Sequence, residues 1–94
     1  MTDLEALTAA DFEPLLHDRF RIASPDAPPF EAELVEVTAI PREPGGREPF
    51  SLEFQGDPEF TLRQGIYGVD HERLGALEIF LVPIAPGRYE AVFT

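Results

Sequence analysis

Cysteine is absent from this chain, and so are lysine, asparagine and tryptophan. Without a thiol the chain has no disulfide, no thiolate metal ligand and no cysteine nucleophile. Every basic residue is therefore an arginine, a bias that indicates a GC-rich bacterial genome more than any mechanism. The absence of cysteine therefore excludes sites that depend on a thiol, but it does not indicate which other kind of site the chain has.

Basic charge is also scarce, because 7 arginines stand against 18 acidic residues and the net charge is −11. Such a chain repels both the phosphate backbone of nucleic acids and anionic lipid headgroups, so we expect neither as a partner. The acidic first residues lack the basic and apolar regions of a signal peptide, and no apolar run approaches the roughly 20 residues of a membrane span. A cytoplasmic protein is therefore expected.

The length of 94 residues predicts a single domain over 1–94 with a thin core. Near its start, Thr8 has the spacing of a helix N-cap with Asp11 at the third helical position. Pro14 follows too early for a long helix, which predicts a kink or a restarted turn there. His17 is expected at the exit, because histidine tolerates positive φ better than most residues.

After the helix, apolar and polar residues alternate with a period of two. The alternation predicts six short strands, centred on Phe20–Ile22, Phe30–Val37, Phe50–Phe54, Tyr67–Val69, Leu77–Val82 and Tyr89–Phe93. Short links between them favour antiparallel neighbours. We therefore predict a mostly β fold, a six-stranded antiparallel meander that forms a small barrel or sandwich, with a short N-terminal helix.

Three interruptions of the pattern carry further predictions. The apolar phase changes parity between Leu34 and Val35, which indicates a bulge or a strand that passes between sheet faces. Pro28 and Pro29 are expected to lie in a loop, because proline cannot donate to a ladder. The pairs Pro44-Gly45 and Pro86-Gly87 are typical of type II turns.

The segment DHERLG, residues 70–75, holds the histidine of greatest interest. His71 has a functional interpretation as a ligand or proton carrier, and a structural one in which it bonds the backbone of its own turn. Gly75 would then supply the positive φ that closes the turn. We favour the structural interpretation, because a lone histidine without an oriented partner is seldom catalytic.

Other groups with possible chemistry do not combine into a recognisable site. They are His17 beside Asp18, Asp70 and Glu72 beside His71, and the acidic pair Asp57 and Glu59. Ser24 and Ser51 lie outside any nucleophile elbow, and no zinc or EF-hand spacing occurs. We predict no catalytic residue, no cofactor and no metal, and we allow only weak calcium association with the acidic surface.

The run LEIFLV, residues 77–82, is apolar on both faces of its predicted strand. Leu77, Ile79 and Leu81 share the face assigned to the core, which leaves Phe80 and Val82 to be covered otherwise. We expect Phe80 to lie under or beside the helix, covered through Phe12, Leu15 and Leu16. Val82 and Val92 are expected to border an exposed patch, so the candidate interface is Phe80, Val82 and Val92.

Four segments carry a family resemblance that spans nearly the whole chain: LTAADFEPLLHDRF, PFSLEFQG, GIYGVDHERLGALEIFLVPI and RYEAVF. In this order they resemble a family of small bacterial domains of unknown function, found near phage-tail-collar (microcystin-dependent) tail-fibre-like proteins. His17 departs from the family, where a glycine ends the helix. The resemblance implies a role beside tail-like assemblies and assigns no chemistry.

Three classes of function follow. The favoured one is a non-catalytic structural or interaction module, an accessory or assembly component associated with tail-fibre-like proteins, which binds a protein partner or a second copy of itself. The alternatives are a small-ligand-binding β-barrel and, less favoured, an enzyme of unknown type. A cavity with converging polar groups would support the ligand-binding barrel, whereas a flat apolar patch would support the interaction module.

Overall fold

The computed structural model describes residues 7–25, 27–40 and 49–93. A four-residue helix, α1 (Ala9–Phe12), runs into a 3₁₀ turn (Glu13–Leu15), and six strands follow. The strands are β1 (Arg19–Ser24), β2 (Ala27–Ala39), β3 (Phe50–Gln55), β4 (Gly65–His71), β5 (Gly75–Ala85) and β6 (Arg88–Phe93).

The six strands close into a small antiparallel barrel in the order β1-β2-β3-β6-β5-β4, which confirms the predicted fold class. Each half of the chain is a three-stranded meander with a long middle strand, β2 or β5. The halves join where β3 pairs with β6 and β1 pairs with β4, so the link from β3 to β4 crosses one end of the barrel. In this ring β2 and β5 lie on opposite sides.

The long strand β2 contains the bulge that the parity change predicted. Leu34 pairs with Phe54 and Glu36 pairs with Glu53, so Val35 is an extra residue in the ladder. The bulge keeps apolar residues on the inner face both before and after it. The expectation that Pro28 and Pro29 lie in a loop is wrong: β2 begins at Ala27, and the register shift between β1 and β2 falls at the two prolines.

The N-terminal segment plugs one end of the barrel. The Thr8 N–H donates to the Asp11 carboxylate at 2.8 Å, as the cap spacing predicted. Pro14 lies in the 3₁₀ turn, where the α-helical pattern stops, and His17 leaves the segment with a φ of 74°. The Phe12 ring packs 5.8 Å from the Phe50 ring and 5.7 Å from the Phe93 ring, so the helix is anchored by one aromatic contact cluster.

Large side chains fill the inner face of the barrel. Phe20, Phe54, Leu52, Leu81 and Tyr89 are fully buried, and the Phe20 and Phe54 rings meet edge to face. Burial of this apolar surface is the main favourable term for a domain of this size.

Two tight turns use glycine at positive φ. Gly75 has a φ of 75° and closes the β4–β5 turn, and Gly87 has a φ of 68° in the β5–β6 turn. A Cβ on Gly87 would lie 2.5 Å from the Asp57 carbonyl oxygen, so no side chain fits there. The predicted Pro44-Gly45 turn lies outside the described residues. Within 7–25, 27–40 and 49–93, no helix has the length and apolarity needed to cross a membrane.

Candidate interaction surface

The outer face of β4 and β5 carries an exposed apolar pair. Ile66 and Phe80 are directly opposite each other in the antiparallel ladder, and 66% and 50% of their surfaces are exposed. Directly opposite residues share a face and lie close enough for their side chains to touch. Ile66 was not among the candidate interface residues, although the inward parity of Tyr67 and Val69 already places it outside.

Two valines extend this face across β5 and β6. Val82 follows Phe80 by two residues on the same face of β5 and is partly buried, and Val92 on β6 is 54% exposed. Val82 pairs with Glu90, and Val92 follows Glu90 by two residues on the same face of β6. Ile66, Phe80, Val82 and Val92 are called the outer patch below.

The helix does not cover the outer patch, contrary to expectation. Phe12 and Leu15 are buried in the core, and Leu16 is exposed just before His17, whose N–H bonds the Leu34 carbonyl on the opposite side of the barrel. The helix has only one turn, and the large apolar side chains of the helix and the 3₁₀ turn, Phe12 and Leu15, are buried in the core. Phe80 therefore remains half exposed.

Acidic residues flank the outer patch. Glu78 precedes Phe80 by two residues on the same exposed face, and Glu90 lies across from Val82. Neither carboxylate has an ion pair or a hydrogen bond with any residue that the structure describes. By contrast, Arg88 donates from Nε to Glu53 at 2.8 Å.

His71, the last residue of β4, is buried, and both of its ring nitrogens form hydrogen bonds. Its Nδ1 accepts the Arg73 N–H at 3.1 Å, which is the bond within its own turn that the sequence suggested. The ring proton is then on Nε2, which donates to the Asp18 carboxylate at 3.1 Å. Both ring nitrogens are engaged, so neither is available to a substrate in this arrangement.

An open polar groove of about 400 Å³ lies beside this histidine. Its lining consists of Asp18, Arg19, Arg21, Glu31, Asp70, His71 and Glu72. Arg21 is directly opposite Glu31 on one side and Asp70 on the other, an alternation of charge that favours the observed strand register. The lining contains no hydroxyl or thiol nucleophile.

The remaining candidate groups are dispersed over the surface. The His17 Nδ1 lies 2.9 Å from a Glu33 carboxylate oxygen, and the Asp57 carboxylate accepts the Glu59 N–H, which ties that acidic pair into a local turn. Among the residues that the structure describes, no three His, Asp or Glu side chains come together as a set of metal ligands.

The segment between β3 and β4 is fixed to the barrel through Tyr89. The Leu62 N–H donates to the buried Tyr89 hydroxyl at 2.9 Å, and the Gly87 N–H donates to the Thr61 hydroxyl at 2.9 Å. Burial raises the pKa of Tyr89 and outweighs the Leu62 hydrogen bond, which acts in the opposite direction. These bonds hold the segment over one end of the barrel.

A family model described as a domain of unknown function, DUF6916, matches residues 7–93, which is nearly the whole chain. Comparison with curated proteins and with solved structures found no match. The family match agrees with the resemblance to a family of unknown function, and it carries no information on tail-fibre proteins.

Proposed function

We propose that this chain, which belongs to the DUF6916 family of domains of unknown function, is a non-catalytic interaction module that docks a protein partner on the outer patch. The observation that carries the proposal is the pair Ile66 and Phe80, two large exposed apolar residues that lie directly opposite each other on the outside of the barrel. Clustered exposed apolar residues mark interaction surfaces more often than scattered ones do.

The interior of the barrel supports docking over ligand binding. Phe20, Phe50, Phe54 and Tyr89 are fully buried, and their rings occupy the space that a small ligand would need. A small barrel has an interior that side chains alone can fill. The ligand-binding barrel is therefore the weaker alternative.

The arrangement around His71 gives no support to the enzyme alternative. General acid or base catalysis needs a ring nitrogen within reach of the proton to be moved. Here Nδ1 is held by the Arg73 N–H and Nε2 by Asp18. The side chain stabilises the start of the β4–β5 turn, which is a structural role.

The proposed partner is a phage-tail-like fibre protein, and the chain would act as an accessory or assembly component beside it. The support for this partner is the resemblance of the four sequence segments, together with the apolar outer patch as a place to bind. The interaction would take place in the cytoplasm during assembly or in the finished tail-like particle.

A comparative pull-down from the native bacterium tests this proposal. The baits are the unchanged chain, the variant Phe80→Ser, and the control Leu16→Ser, which alters an exposed leucine next to β2 on the far side of the barrel. We expect a tail-fibre-like protein with the first and third baits and its loss with Phe80→Ser. Recovery of metabolic enzymes alone, or equal recovery with all three baits, would contradict the proposal.

A further inference from the structure

Resting on the proposed function, we infer that the outer patch binds a protein segment in which an apolar side chain is flanked by Lys or Arg, and not a second copy of this chain. The charges that border the patch favour such a segment. An apolar partner surface alone would match Phe80 and Ile66 but would leave the neighbouring carboxylates without partners.

The carboxylates at the border are uncompensated. Glu78 and Glu90 have no ion pair with the described residues, and β5 and β6 together contain one basic residue, Arg88. The Arg88 guanidinium is already held at 2.8 Å by Glu53 and at 3.7 Å by Glu36. Arg88 is therefore the single basic residue of the two strands that carry most of the outer patch, and its guanidinium is already paired with Glu53 and Glu36.

The spacing places these carboxylates within reach of a bound segment. Residues two apart on a strand are separated by roughly 7 Å, and directly opposite residues by about 5 Å. Glu78 is two residues from Phe80, and Glu90 is directly opposite Val82. A segment seated on Phe80 and Val82 would partly cover both carboxylates, and removing an unpaired charge from water is costly. Basic groups in the partner offset part of that cost through ion pairs.

The same charges disfavour a second copy. Two copies docked patch to patch would bring Glu78 and Glu90 of each chain to one interface, and like charges placed together suppress a complex. Each copy also carries a net charge of −11, which slows their encounter at low ionic strength. A partner of opposite charge gains from both effects.

Two synthetic seven-residue peptides test the inference directly. One alternates arginine with valine and phenylalanine, and its twin has glutamate in place of every arginine. Each is titrated into the ¹⁵N-labelled chain at low salt while backbone NMR signals are followed. We expect the arginine peptide to shift the signals of Ile66, Phe80 and Val92 and the glutamate peptide to leave them unchanged.

Charge-matched variants separate a specific border effect from general attraction. The border variant combines Glu78→Gln with Glu90→Gln, and the control variant combines Glu31→Gln with Glu59→Gln. Each variant loses two exposed or partly exposed carboxylates, so the net charge changes from −11 to −9 in both. Glu31 is on β2, across the barrel from β5. The border variant should weaken binding of the arginine peptide by roughly tenfold, and the control variant by much less.

The possible failures are distinguishable. Equal binding of both peptides at the patch, or equal weakening by the border and control variants, would overturn the inference and leave the docking proposal standing. Concentration-dependent dimerisation that Phe80→Ser abolishes, with no response to either peptide, would show that the occupant is a second copy. Binding of the arginine peptide that is unaffected by Phe80→Ser would contradict the docking proposal itself.

Discussion

The His71 side chain contacts three neighbouring residues. Its two nitrogens bond Arg73 and Asp18, and its ring lies 4.6 Å from the ring of Phe20. Asp18 precedes β1, whereas His71 ends β4, so the contact joins the two halves of the chain. The His71 side chain therefore links the end of β4 to the residue that precedes β1.

Replacing His71 with alanine tests this structural role. We expect His71→Ala to lower the free energy of unfolding by about 1 to 2 kcal/mol, because the Arg73 N–H loses its acceptor and the Asp18 bond is removed. Urea denaturation measures the change. Binding of the arginine peptide at the outer patch serves as the control and should be unaffected. Loss of that binding at unchanged stability would instead make His71 a recognition residue.

Tyr89 gives the domain a sensitivity to alkaline pH. Burial raises its pKa, so the folded chain holds the phenol proton more tightly than the unfolded chain does. The resulting stability is fully present below the ordinary tyrosine pKa of about 10 and is lost as the pH rises through the higher folded value. The sequence has two tyrosines, so Tyr67→Phe leaves Tyr89 as the single phenol to be followed.

Absorbance of the phenolate in the Tyr67→Phe variant measures this pKa. We expect the titration midpoint to lie above the ordinary value and the ionisation to accompany unfolding, which circular dichroism follows in parallel. A midpoint at the ordinary value in a chain that stays folded would show that the Tyr89 hydroxyl is in contact with water.

At the scale of the element, β5 presents two faces with different roles. Ile79 is 4% exposed on the inner face, whereas the adjacent Phe80 is half exposed on the outer face. Removal of buried methyl groups leaves a cavity, so Ile79→Ala should destabilise the domain by roughly 2 to 5 kcal/mol. Phe80→Ser should cost less than about 1 kcal/mol and weaken docking.

Urea denaturation of the two variants, with peptide binding measured alongside, decides between these roles. If Phe80→Ser destabilised the chain as severely as Ile79→Ala, the ring of Phe80 would be structural and its exposure would have no bearing on binding. The comparison is sharp because the residues are adjacent and share the same backbone pairing with β4.

Several elements could be predicted because their signals are local. The alternation of Phe50, Leu52 and Phe54 predicts β3, the parity change at Val35 predicts the bulge in β2, and the spacing of Thr8 and Asp11 predicts the start of α1. In each case the decisive residues are only a few positions apart, and periodicity or cap spacing reports on them.

Other features were outside the reach of sequence reasoning because they depend on distant residues. The contact between Asp18 and His71 spans 53 positions, and the pairing of β3 with β6 has no local signal. The sequence predicts a helix over Phe80, because it shows that Phe12 is apolar but not that its ring packs against the stacked rings of Phe50 and Phe93. The sequence therefore predicts three residues of the outer patch, Phe80, Val82 and Val92, but it does not predict Ile66, and its expectation that the helix covers Phe80 is wrong.

At the scale of the whole molecule, folding should not depend on a metal ion. The barrel is held by its apolar interior, and the described residues include no cluster of metal ligands. We expect native mass spectrometry to show the mass of the chain without a stoichiometric metal. A chelator should leave the melting temperature unchanged, because metal removal unfolds only domains that bind the metal in the folded state. One bound zinc ion per chain would contradict this.

Photocrosslinking at position 80 shows whether a protein partner binds at the outer patch. A photoreactive phenylalanine analogue replaces Phe80 in the organism that produces the chain, and a control places the same analogue at Glu31 on the opposite strand β2. We expect a discrete protein adduct from position 80, none from position 31, and Lys or Arg beside the crosslinked residue of the partner. No adduct from position 80, or the same adducts from both positions, would contradict binding of a protein partner at the outer patch.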